Sequence, residues 1–153
     1  MTAVADRLAE LGLELPPVSK PVAAYVPAVV SGNLVFTAGQ LPMVSGNLVA
    51  TGKFGAAIAA EDGAALARTC ALNALAAAES VIGSLDLVTR VVKVVVFIAS
   101  TPEFTAQAGV ANGASELLGQ IFGDAGQHAR SSVGVPVLPL DAPVEVELIL
   151  EFA

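Results

Sequence analysis

The chain has 153 residues, 55% of them hydrophobic and only 14% charged, with a formal net charge of −7. One domain spanning 1–153 fits that length, and the acidic balance without any basic run argues against a polynucleotide or an anionic membrane surface as partner. A lone cysteine, Cys70, excludes an intrachain disulfide and any CxxC site, and with a single histidine, His128, no structural zinc site is expected.

Charged residues usually make up about 25% of a globular chain. The shortfall points to extra buried surface, most simply a subunit interface; an alanine-rich composition is the plain alternative. The opening MTAVADRLAELGLELPP has no basic region before an apolar core, so no signal peptide is expected. Val91–Ser100 is apolar but short and broken by Lys93, so it is not read as a membrane span, and cytoplasm is the default location.

In chain order, Ala3–Leu13 reads as a short amphipathic helix with Val4, Leu8 and Leu11 on one stripe. Gly12 and Pro16-Pro17 end it, and residues Pro16–Ala23 form a connector. Tyr25–Val30 and Leu34–Ala38 read as strands of a hairpin around Ser31-Gly32-Asn33. Gly39-Gln40-Leu41-Pro42 breaks the second strand. Ser45-Gly46-Asn47 marks another turn in a loop reaching about Ala57.

Ala60–Leu85 is the longest helical pattern, with Glu61 and Asp62 in its first turn and Leu66, Cys70, Asn73, Ala77 and Val81 on its apolar stripe. Val88–Ala99 is β-branched and reads as a strand buried on both faces. Thr101-Pro102-Glu103 resembles a helix start, and a second helix is expected from about Phe104 to Phe122, stopping at Gly123. Its Gly109, Gly113 and Gly119 would permit close approach of another backbone or be simple tolerance. Arg130–Leu138 and Val144–Phe152 close the chain as strands. The order β-β-α-β-α-β-β predicts an α+β sandwich with the helices on one sheet face.

Strand parity places Val133, Val135 and Val137 on one face and Arg130, Ser132 and Gly134 on the other. In the last strand Val144, Val146, Leu148 and Leu150 share a face opposite Glu145, Glu147 and Glu151. The valine faces are expected under the helices and the polar faces away from them. Arg130 then has two readings. It is a strand-end charge paired with Glu145 and worth little at a surface, or a receptor for a small carboxylate, gripped by two parallel hydrogen bonds. In the second reading Glu145 orients a water or shuttles a proton. A P-loop or Rossmann glycine pattern is absent, a Ser-His-Asp triad has no support beyond His128, and Cys70 reads as a small core residue.

The stretches "ARSSVGVPVLPLDAPVEVE" and "YVPAVVSGNLVFTAGQLP" together resemble the RidA family, also called YjgF-like, over about residues 20–152. The first resembles its C-terminal A-R-S, L-P and V-E-x-E signature, and the second its N-terminal hairpin with a Gly-Gln-hydrophobic-Pro corner. The resemblance implies a chorismate-mutase-like α+β fold and a homotrimer with clefts between subunits. It implies hydrolysis of reactive 2-imino or enamine acids to 2-oxo acids and ammonia, without cofactor or metal; the alternative is a non-catalytic trimeric module that binds small carboxylates.

Carried over by position, Arg130 binds the substrate carboxylate and Glu145 serves the attacking water. Ser132 and Gly39 offer backbone contacts, Tyr25 an aromatic near the cleft and Asn112 a polar helix residue. His128 stands where the usual signature has proline, Ser115 where many members have an aromatic, and Ala38 where a hydroxyl residue is common. Residues 1–19 and the Lys53-Phe54-Gly55 loop belong to a longer branch.

Overall fold

The computed structural model describes residues 3–21 and 23–153. Met1 and Thr2 of the expected N-terminal extension, and Val22 of the connector, lie outside the described residues. Among the described residues there are three α-helices: α1 (Val4–Glu10), α2 (Gly63–Ile82) and α3 (Gln107–Phe122). Seven strands accompany them: β1 (Ala28–Ser31), β2 (Leu34–Thr37), β3 (Met43–Val44), β4 (Asn47–Leu48), β5 (Val88–Ala99), β6 (Ala129–Val135) and β7 (Val144–Phe152). Five of the strands form one mixed sheet in the order β1-β2-β7-β5-β6. The β5–β6 pair is parallel, with α3 as the crossover, and the other pairs are antiparallel.

Both long helices cover one sheet face and pack against each other. That face is built from alternate residues: Val91, Val94, Val96 and Ile98 of β5, and Val144, Val146, Leu148 and Leu150 of β7, all buried. The expectation that β5 is buried on both faces does not hold. Val95 and Phe97 are only half-buried on the face away from the helices, and Thr89 and Arg90 are exposed. The long strand runs past the helix layer at its start, and no described element of this chain covers its second face there.

The alanines of α2 allow it to lie close on β7. Leu66, Cys70, Asn73 and Ala77 are buried as expected, whereas Val81 is 42% exposed, because the stripe leaves the sheet before the helix ends at Gly83 (φ +90°). By length and composition the stretch Ala60–Ile82 could cross a bilayer, but 56% of its apolar 18-residue window is buried within the protein, as in a core helix. Gly113 sits where α3 meets α2: a Cβ there would run into the carbonyl oxygen of Ala64.

Helix α3 starts later than the Pro102 signal suggests. Thr101–Ala106 is spent as a loop that brings Phe104 onto Phe54, ring centroids 5.3 Å apart. Phe54 is fully buried, and its backbone bridges to Ala99 and Thr101 (2.9 and 3.0 Å), so the Lys53-Phe54-Gly55 loop anchors the core. The turn at Ser45-Gly46 proves to be the tip of a small hairpin, β3–β4. Both residues take positive φ (51° and 81°), the geometry a two-residue hairpin loop prefers. At the N-terminus, α1 is tied down by the Val4 amide donating to Asp86 Oδ1 (2.7 Å) and by the buried Leu8.

Candidate functional site

Strand β6 reverses one expectation. Its parallel register sets Arg130 beside Val94, Ser132 beside Val96 and Gly134 beside Ile98, all core-facing residues of β5. The polar set therefore points to the helix side, and Val133 (43% exposed) lies on the open face. The reason is the facing wall. Over this edge α3 offers Gln107, Asn112 and Ser115 instead of apolar side chains, so polar residues of β6 find hydrogen bonds there.

Arg130 lies in that seam, half-buried. Its Nη1 donates to Asn112 Oδ1 (2.8 Å) and to Ser115 Oγ (3.1 Å). Asn112 and Ser115 are three apart on α3 and so share the face it turns to β6. Nε and Nη2 have no hydrogen-bond partner among the described residues, and the only ion pair there is Arg7–Glu10. A guanidinium held by neutral acceptors through one nitrogen keeps its Nε–Nη2 edge open, the edge that matches a carboxylate. Ser132 turns its hydroxyl into the protein, donating to the Gln107 carbonyl (3.1 Å). Since β6 is an edge strand, one side of its backbone is free to meet a ligand or another chain. Beyond Gln107 the seam opens into a groove of about 690 Å³ lined by Lys53, Phe104 and Gly134 among others.

His128 enters the same cluster, although the sequence suggested no role for it. Its Nε2 lies 2.8 Å from Ser115 Oγ and its Nδ1 2.6 Å from the Gly126 carbonyl. The available signal was strand parity, since 128, 130 and 132 alternate onto one side. Ser115 carried no comparable signal, because its partners lie on another element.

Glu145 sits elsewhere. The β2–β7 register runs from Phe36↔Ile149 to the bridge Gln40↔Val146, four steps on one strand against three on the other, so β2 carries one extra residue. Thr37 Oγ1 takes the Leu148 amide (2.9 Å) across this bulge, and Gln40 and Val146 exchange backbone bonds of 2.8 and 2.9 Å beyond it. The bulge lays Gly39 directly over the Glu145 carboxylate, where any Cβ would collide with Oε1. Buried Asn73 of α2 pins the corner, its Nδ2 donating to the carbonyls of Leu41 (3.1 Å) and Met43 (3.0 Å). Tyr25, 47% exposed, stands beside Gly39 and Gln40 at a small cavity of about 60 Å³.

The expected single polar face is therefore two separate groups of residues. Arg130, Asn112 and Ser132 gather on the helix side of β6; Tyr25, Gly39 and Glu145 gather at the β2–β7 corner. Glu145 pairs in register with Phe97 and so points to the open face, with β5 between it and β6. An Arg130–Glu145 ion pair within one chain, the plain alternative, is ruled out by this geometry.

Burial raises the Glu145 carboxyl above its ordinary 4.5, and the like charge of Glu147 adds to the shift. Such a group binds its proton more tightly folded than unfolded. Its ionisation therefore opposes folding above the folded pKa, and that opposition fades as pH falls through this value and is gone below the unfolded one. Glu145→Gln is expected to melt above wild type at about pH 8, with the gap closing as pH drops to about 4.5. Thermal melts across that range check this; a gap independent of pH would contradict the buried-carboxylate account. Cys70 is fully buried, and desolvation, then the charge of Glu145, pushes its thiol up, so it stays protonated in the core.

A family model described as "YjgF/chorismate_mutase-like, putative endoribonuclease" matches residues 5–152. Protein TCP17 of Trypanosoma cruzi is 44% identical over 149 residues, 97% of this chain and 93% of that protein. The crystal structure of Atu1372 from Agrobacterium tumefaciens, a protein described as of unknown function, has a TM-score of 0.91 at 42% identity, covering 98% of this chain and 92% of that one. TdcF of Escherichia coli, solved with bound serine, has a TM-score of 0.64 at 26% identity, over 91% of this chain and 94% of that one.

Proposed function

The chain belongs to the YjgF/chorismate-mutase-like family, and on that premise we propose that it hydrolyses small 2-imino or enamine acids to 2-oxo acids and ammonia. The observation that carries this reading is the open Nε–Nη2 edge of Arg130, a half-buried cation with no carboxylate partner among the described residues. TdcF, solved with bound serine, is a relative holding a molecule with an α-carboxylate. A net charge of −7 without a basic run suits one small anion on one arginine better than a polynucleotide.

The chemistry needs little beyond orientation. Arg130 fixes the carboxylate, which places the C=N carbon for attack. Water adds its oxygen to that carbon while one proton passes to Glu145. The same proton then goes to nitrogen, giving a 2-amino-2-hydroxy acid; Glu145 next carries the hydroxyl proton to nitrogen as the C–N bond breaks, so ammonia leaves and the 2-oxo acid forms. The upward-shifted carboxyl of Glu145 suits such a two-way role.

Since Arg130 and Glu145 lie on opposite sheet faces, the reading brings Glu145, Gly39 and Tyr25 from one copy to Arg130, Asn112 and Ser132 of another in a homotrimer. The half-buried Phe36, Val95, Phe97 and Ile149 on the open face support burial against a further copy. The test generates 2-iminopropanoate in situ and follows its loss, with the mass measured by light scattering. Faster loss than in buffer and a mass of three 15.3 kDa chains are expected. Loss at the buffer rate would sink the hydrolase, and tight 2-oxo acid binding without turnover would make the protein a binding module.

A further inference from the structure

We infer that His128 is a positioning residue that acts through Ser115 to lock Arg130 in its carboxylate-binding orientation; the inference rests on the receptor reading of Arg130. The proton positions follow from the partners. A backbone carbonyl can only accept, so the 2.6 Å contact with Gly126 O requires that His128 Nδ1 carry hydrogen. In the neutral ring Nε2 is then an acceptor, and the Ser115 hydroxyl, 2.8 Å away, must donate to it. That leaves the lone pairs of Ser115 Oγ for Arg130 Nη1 at 3.1 Å. A single direction of donation runs from Arg130 through Ser115 and His128 to the backbone.

Without His128 the serine hydroxyl is free to rotate, and one of the two acceptors on Nη1 loses its fixed direction. The other, Asn112, is an exposed side chain and cannot hold the guanidinium plane alone. The tether at Gly126 is itself rigid: this glycine is buried against the backbone of Leu118 and Gly119, where a Cβ has no room. The relay therefore transmits the position of the α3 C-terminal turn to the receptor.

The test measures calorimetric binding of 2-oxobutanoate, a stable carboxylate probe, together with imine turnover. His128→Ala and Ser115→Ala should each weaken binding about tenfold and raise KM by a similar factor, with kcat changed by less than about threefold, as expected when a ground-state contact is loosened. His128→Gln, which keeps an acceptor toward Ser115, should recover most of the loss. In an Arg130→Ala background, His128→Ala should add nothing further. Full loss in Arg130→Ala alongside unchanged binding in His128→Ala and Ser115→Ala would overturn the relay and leave the receptor standing. Additive losses in the double variant would also overturn it. Wild-type binding by Arg130→Ala would instead remove the receptor, and the relay with it. Should His128→Ala fail to fold, His128→Phe, which keeps a ring but offers Ser115 no acceptor, decides by the same criteria.

Discussion

Arg130→Ala is expected to lower kcat/KM for a 2-imino acid by roughly 30- to 5000-fold, the range that follows from losing a hydrogen-bonded charge partner worth about 2–5 kcal/mol. The loss should be accompanied by little change in melting temperature. The guanidinium has no ion pair among the described residues, and of its two acceptors Asn112 is exposed and can turn to water. Arg130→Lys separates charge from geometry. Lysine keeps the charge but has no planar fork, so it should recover only a minor part of the activity. Steady-state kinetics on the three proteins check this, and a wild-type kcat/KM in Arg130→Ala would remove the carboxylate receptor from the mechanism.

Gly113→Ala should be the most destabilising of the glycine-to-alanine changes within α3, by about 2–3 kcal/mol, which for a domain of this size is a fall in melting temperature of roughly 4–12 °C. The new Cβ would meet the Ala64 carbonyl oxygen, carbonyl carbon and Cα, and backbone cannot swing aside as a side chain can. Helix propensity acts in the opposite direction by only about 1 kcal/mol. Gly109 and Gly119 are the internal control: a Cβ at either has nothing within 4 Å. Their alanine variants should be stabilised by up to about 1 kcal/mol. Three similar melting temperatures would contradict the tight α2–α3 crossing.

Much of the fold was legible from local chemistry. Gly32-Asn33 announced the β1–β2 hairpin, and the Val144–Leu150 alternation identified both faces of β7 correctly. Gly123, at positive φ, ends α3 where turn chemistry places it, whereas α2 stops at Gly83 (φ +90°), short of the expected Leu85. The β3–β4 hairpin was missed because two-residue strands are too short to show a period. The start of α3 was missed because Phe104 is held by Phe54, fifty residues away, and that contact overrides the Pro102 signal.

The candidate site divides in the same way. Arg130, Asn112 and Ser132 could be named from the sequence and do converge, as do Gly39 and Glu145. The sequence by itself determined the main elements, the two residue sets of each long strand and which groups carry charge, because these depend on neighbours within a few residues. Only the tertiary structure decided that the polar set of β6 faces the helices while Glu145 faces away from them. Alternation assigns residues to two sides but cannot say which side is covered; that depends on α3 presenting Asn112 and Ser115 to the strand. The His128–Ser115–Arg130 chain was hidden for the same physical reason: a hydrogen bond forms between groups brought together in space, and the crossover through α3 is what brings these together.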